Sequence, residues 1–148
     1  MEFDYKKIKE TISKLSESSD FEKIYAHVKW SRANSGCGKQ ETFHKRIKEL
    51  KSELVEACEA FESGNKAHFA EELGDVLWDL MFLFVLCEEE GTSAEKIVND
   101  RIAKQVRRCP HAYEPRDVSF PEELKIWKAR KKLEKQGKLT GYGFEIKD

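Results

Sequence analysis

The chain has 148 residues, of which 37% are charged and 39% hydrophobic, and its formal net charge is −1. That length suits one domain with a real core, and the near-neutral balance excludes a global pull toward nucleic acid or an anionic membrane. The longest apolar run is too short to span a bilayer.

Met1–Lys7 contains no apolar h-region, so no secretory signal is expected. Cys37, Cys58, Cys87 and Cys109 are widely spaced with no Cys-x-x-Cys pair. Cys58 and Cys87 lie in apolar patterns and read as small core residues. A reduced, cytoplasmic setting is the expectation.

Residues 3–16 place Ile8, Ile12 and Leu15 at helical spacing before Ser18-Ser19-Asp20 interrupts. Asp20 has the chemistry of an N-cap for a second helix carrying Phe21, Ile24 and Val28. Ser31 to Gln40, with Asn34, Gly36 and Gly38, reads as a flexible loop. No alternation of β-branched residues predicts a strand.

A helix from about Glu41 to Ser63 is predicted next, with Phe43, Ile47, Leu50, Leu54, Ala57 and Phe61 as its apolar stripe. Glu56 and Glu59 project from the opposite side. Ser63-Gly64-Asn65 turns the chain into a second long helix running to Glu90. From Val76 to Cys87 that helix is apolar at every position except Asp79, which predicts burial on all faces. Yet Glu72, Asp75 and Asp79 recur at i, i+3 and i+7 and form one stripe. Carboxylates on a core helix require a compensating positive charge, from a metal ion or a basic cluster.

The short link predicts an antiparallel hairpin. Glu56 and Glu59, near the end of one helix, then approach Glu72 and Asp75, near the start of the next. These four acids are the candidate metal-ligating and catalytic residues. An all-oxygen set suits magnesium, and the lack of a His or Cys cluster argues against zinc. His68 reads as a surface or capping residue.

Gly91 closes this second long helix, and Thr92-Ser93-Ala94-Glu95 has the pattern of a capping box. The helix it opens turns Val98, Ile102 and Val106 inward and carries Arg101, Lys104 and Arg108 on another stripe, with Arg107 beside them. Pro110 stops it and leaves cations suited to phosphate oxygens at its end. A last helix from Ser119-Phe120-Pro121-Glu122 bears Leu124, Trp127 and Leu133 among lysines. Trp127 is either a packing anchor or a stacking platform for a base. The glycine-containing tail, residues 136–148, is expected to be loosely held.

Leu54-Val55-Glu56-Ala57-Cys58-Glu59, Glu71-Glu72-Leu73-Gly74-Asp75 and Arg107-Arg108-Cys109-Pro110-His111 together resemble the MazG-type nucleoside triphosphate pyrophosphohydrolases. The family signature is Glu-Glu-x-x-Glu, a spacer, then Glu-x-x-Asp, followed by an Arg-Arg-His-Pro-His segment and a helix with Trp-x-x-x-Lys, here Trp127 and Lys131. Trp30-Ser31-Arg32 and Gln40-Glu41-Thr42 are similar to its upstream Cys-Pro-Trp-Asp…Gln-Thr segment. The resemblance covers about residues 30–134 of what reads as a single domain, 1–148. Val55 and Cys109 depart from the pattern, and the insertion at residues 34–38 has no counterpart.

The resemblance implies an all-α bundle completed by a homodimer or dimer of dimers. It also implies hydrolysis of an NTP or dNTP to monophosphate and pyrophosphate, with Mg2+ (or Mn2+) on Glu56, Glu59, Glu72 and Asp75. Lys104, Arg107 or Arg108 would then steady the phosphates, and Trp127 and Lys131 would contact base or phosphate. A phosphoribosyl-ATP pyrophosphohydrolase-like activity and a non-catalytic helical module are the alternatives. Nucleic-acid binding by the lysine-rich last helix fits the charge balance poorly.

Overall fold

A computed structural model describes residues 2–15, 20–114 and 116–144. The interruption expected at Ser18-Ser19 lies outside these residues, as do residues 145–148 of the tail and the side chains of Ile12 and Leu15. Seven α-helices and one 3-10 turn are present among the described residues: α1 (Tyr5–Leu15), α2 (Asp20–Asn34), α3 (Gly36–Lys39), α4 (Phe43–Glu62), α5 (Lys66–Glu89), α6 (Ala94–Arg108), the 3-10 turn Pro110–Ala112 and α7 (Phe120–Lys135). The chain divides into two compact units, residues 19–94 and residues 1–18 with 95–148.

In the first unit α4 and α5 form a hairpin, and α2 packs on α5. Thr42 caps α4, its side chain accepting from Lys45 N, and Asn65 caps α5 by accepting from His68 N at 3.1 Å. Such caps satisfy amide donors that a helix start leaves open. Between the helices Gly64 adopts φ +74°, the left-handed conformation that glycine enters without steric cost. Tyr25, Val28, Met81, Phe82, Val85, Leu86 and Ala94 form the core of this unit.

Part of the predicted loop is helical. Helix α2 continues to Asn34, and Ser35 caps the single turn α3 by accepting from Gly38 N at 2.8 Å. Gly38 is required here, because a Cβ would stand 2.4 Å from the Ser31 carbonyl oxygen. Arg32 ties the segment down by donating to the Gly38 and Glu41 carbonyls and pairing with Glu89 at 2.8 Å. A run of polar and glycine residues can thus be ordered by one arginine.

The predicted faces of α4 and α5 also change. Ala57 and Ala60 are buried on α4, while Ile47, Leu54 and Phe61 are 41%, 48% and 67% exposed. The inward face runs Phe43, Arg46, Leu50, Glu53, Ala57, Ala60, a 3-4 alternation that keeps one edge against a neighbouring helix. On α5, Leu73, Leu77 and Leu80 are exposed, so the helix is not buried on every face. Two helix neighbours cover only part of its circumference. Cys58 is likewise exposed rather than a core residue.

The second unit is built on Phe3, Ile8 and Val106, with Tyr5, Ile102, Tyr113, Ile126 and Phe144 around them. Glu122 accepts from both the Ser119 amide and hydroxyl to start α7. Residues 137–144 of the tail are held by several contacts. Arg107 and Arg130 donate to the Gly141 and Gly143 carbonyls, and Tyr5 and Tyr142 pack on Phe144.

The small residues on the inner face of α4 let two helices approach closely. Ala60→Leu should therefore destabilise the chain by about 1–3 kcal/mol through overpacking. Urea unfolding should show a lower midpoint at unchanged slope.

Candidate functional site

The hairpin sets the register of its charged side chains. Phe61 meets Phe69 next to the turn, with ring centroids 5.4 Å apart. One to two turns further on, Glu53 and Glu56 of α4 face Glu72 of α5. One carboxylate oxygen from each lies within 4.8 Å of the others. Glu72 is 6% exposed, Glu53 half-buried and Glu56 exposed. At the far end Arg46 of α4 pairs with Asp79 of α5.

This clustering is electrostatically costly without a cation. Burial pushes the Glu53 carboxyl above its ordinary range, and the negative charges of Glu56, Asp75, Asp79 and Glu72 push it further. Asp79 is also raised, first by burial, against the lowering effect of its Arg46 hydrogen bond. His68 Nε2 lies 2.7 Å from Glu72 Oε1 one helical turn away, which fixes that carboxylate's orientation. The donor set fits a hard divalent cation, because carboxylate oxygens are what magnesium and manganese take.

Of the four acids expected to converge, the structure groups Glu56 and Glu72. Asp75 is exposed on α5 one turn beyond Glu72 and adds to the field on Glu53. Glu59 is exposed and outside the group. Glu53 and Arg46 went unrecognised in the sequence, although Arg46, Glu49, Glu53 and Glu56 recur at spacings of three and four. The greasier stripe Ile47-Leu54-Phe61 masked that signal.

The second unit holds the basic residues. Glu134 receives Arg107 Nε and Arg108 Nη2, each at 2.7 Å. The Arg108 guanidinium lies 5.8 Å from the Trp127 ring centroid and the Lys131 ammonium 4.6 Å from it. Trp127 is therefore flanked by two cations. Lys104 is exposed one turn before Arg108. Burial pushes the Cys109 thiol up, so it is a poor nucleophile. His111 is buried, with Nε2 3.2 Å from Glu123.

The Arg108 hydrogen bond, followed by that of Arg107, holds the Glu134 carboxyl down to about 2 from 4.5. A depressed folded-state value stabilises the fold above the unfolded value and loses that contribution as pH falls. The contribution, on the order of 2 kcal/mol, should be complete above about pH 4.5 and disappear toward pH 2. Glu134→Gln should lower Tm at pH 7 and narrow its gap to the wild type near pH 3, read by thermal melts across pH.

Comparison with known proteins places these residues in context. The model of the MazG nucleotide pyrophosphohydrolase domain matches residues 41–113, which span α4, α5, α6 and the 3-10 turn. Both acidic motifs and Lys104 to His111 lie inside that match, and Trp127 and Lys131 lie beyond it. The chain is 33% identical over 135 residues to the uncharacterised protein YabN of Bacillus subtilis, covering 86% of this chain and 26% of that protein. It is 31% identical over 108 residues to a nucleoside triphosphate pyrophosphohydrolase of Mycolicibacterium smegmatis, covering 70% of this chain and 33% of that protein. The chain thus spans about a quarter to a third of the length of these two relatives. The crystal structure of a MazG-related protein from Thermotoga maritima superposes with a TM-score of 0.70 at 27% identity, covering 75% of this chain and 98% of that one.

Proposed function

Since the chain carries a MazG nucleotide pyrophosphohydrolase domain, we propose that it hydrolyses a nucleoside triphosphate, ribo or deoxy, to the monophosphate and pyrophosphate. The observation that carries this reading is the convergence of Glu53, Glu56 and Glu72 from two facing helices. With Asp75 one turn on, they form the set that holds Mg2+, for which Mn2+ can substitute. This reading moves the family's Glu-Glu-x-x-Glu from residues 55–59 to 52–56, so that Ser52 rather than Val55 departs from it, and keeps the second motif on Glu72 and Asp75. Glu59 is then a peripheral acid. When bound, a divalent cation supplies Lewis acidity to a phosphoryl oxygen and lowers the pKa of water.

The chain's own residues divide the remaining work. Glu72, fixed by His68, presents a carboxylate in a defined direction. In the second unit Arg108 and Lys104 carry charge suited to phosphate oxygens, and Arg107 supports the same helix end through Glu134. Trp127, flanked by Arg108 and Lys131, offers a face for the base. Water attacks at the α-phosphorus, and the bond to the bridging oxygen breaks. Pyrophosphate is the leaving group, and its developing negative charge is what cationic groups stabilise in such a step.

Glu53→Gln and Glu72→Gln should each reduce Mg2+-dependent turnover by at least about 100-fold, whereas Glu59→Gln should stay within about threefold of wild type. In ¹⁸O-water the label should enter the monophosphate. Label confined to pyrophosphate, or orthophosphate with a diphosphate as first products, would overturn the reaction. Equal loss in the Glu53 and Glu59 variants would overturn the assignment of ligands.

The exposed apolar residues of the hairpin support a homodimer, or a dimer of dimers. Ile47, Leu54 and Phe61 recur every seven residues on α4, and Leu73, Leu77 and Leu80 recur at spacings of four and three on α5. Such stripes are the packing surfaces of helical bundles. Light scattering at micromolar concentration should give a dimer or tetramer, and Leu54→Glu with Leu77→Glu should give a monomer. A wild-type monomer at the same concentration would refute the assembly.

A further inference from the structure

Where α4 meets α5, Glu53 is half-buried and Glu72 and Asp79 are buried, Glu49, Glu56 and Asp75 are exposed at the margin, and Arg46 enters the seam. Arg46 is 13% exposed at its side chain, beside Asp79 at 7% and Glu41 at 14%. Its Nη1 donates to Asp79 Oδ1, and its Nη2 lies 3.1 Å from Glu41 Oε2. The guanidinium also lies over the Phe82 ring, 4.3 Å from the centroid. A planar fork held by two acids and a ring is fixed in place, as a flexible ammonium would not be. Asp79 shares its helix face with Glu72 and Asp75 and feels the negative charges of Glu49 and Asp75. By position and chemistry it is a potential further ligand for a divalent cation.

We infer that Arg46 is a permanent cation of the acidic seam, which holds Asp79 and Glu41 and confines a divalent cation to the Glu53–Glu56–Glu72 end. This rests on the metal reading of that end. Arg46 is a positioning residue and touches no substrate. It balances one end of the seam at all times, so the hairpin packs whether or not the other end is loaded. Without it Asp79 would be a buried carboxylate lacking a partner, a strongly destabilising arrangement. A second divalent cation would be the group best able to relieve that charge, using Asp79, Glu41 and Glu49.

The test counts Mn2+ bound per chain by electron paramagnetic resonance and measures Tm in EDTA and in Mn2+, with no substrate present. Arg46→Met should bind one more Mn2+ than wild type. Its Tm in EDTA should fall by at least about 5 °C, and Mn2+ should restore more than half of that loss. Arg46→Lys, which keeps the charge, should retain the wild-type count. Asp79→Asn should leave Mn2+ affinity within about threefold of wild type, because Asp79 is already engaged.

Two outcomes overturn the inference. One is a wild-type count in Arg46→Met with Tm lowered equally in EDTA and Mn2+, as for a merely structural residue. The other is a loss of about tenfold or more in Mn2+ affinity on Asp79→Asn; this variant decides the matter if Arg46→Met does not fold. Wild type binding no Mn2+ at all would instead remove the metal reading on which the inference stands.

Discussion

Electrostatic repulsion across the α4–α5 seam is the constraint on which the first unit depends. Two helices pack through faces that both carry acids, and the small side chains of Ala57 and Ala60 hold them close near the turn. Close packing lowers the local dielectric and raises the cost of each unpaired charge. The fold meets this at one end with Arg46, and at the other His68 lies 2.7 Å from Glu72. Between them Glu53 remains a strained carboxyl, raised by burial and by four neighbouring acids.

That distribution links stability to function. A hairpin whose acids were fully neutralised by arginines would be more comfortable and would have no use for a cation. One with no internal cation would close only when metal was present, as in small domains whose folding is coupled to the ion. Here apolar burial of Met81, Phe82, Val85 and Leu86 and the Arg46 pair hold the helices together. The Glu53–Glu56–Glu72 end is left under-compensated. Local electrostatic stress at a candidate site, offset by packing elsewhere, is a common arrangement in functional regions.

The second unit uses charge differently. Its arginines are paired rather than stressed: Glu134 binds two of them, and the Gly141 and Gly143 carbonyls receive Arg107 and Arg130. Pre-oriented guanidinium groups lose less freedom when they meet an anion than mobile ones do. Trp127, between Arg108 and Lys131, sits in the same ordered surroundings.

The sequence by itself determined the helical class, the hairpin between Ser63 and Asn65, the placement of Glu56 and Glu72 on facing helices and the basic end of α6. Those features follow from local periodicity, caps and breakers, which act within a few residues. It also pointed to a positive charge beside Asp79, because an ionised acid in an apolar run is costly to desolvate without a partner. Tertiary structure decided which cation that is, and that Glu53 rather than Glu59 joins the acids. Both choices turn on the rotation of α4 about its own axis. The hydrophobic stripe through Ile47, Leu54 and Phe61 suggested one rotation, whereas Ala57 and Ala60 permit the closer approach at another, with Glu53 and Arg46 facing α5. Residue spacing defines a helix's faces, but only the neighbouring helix selects which face turns inward.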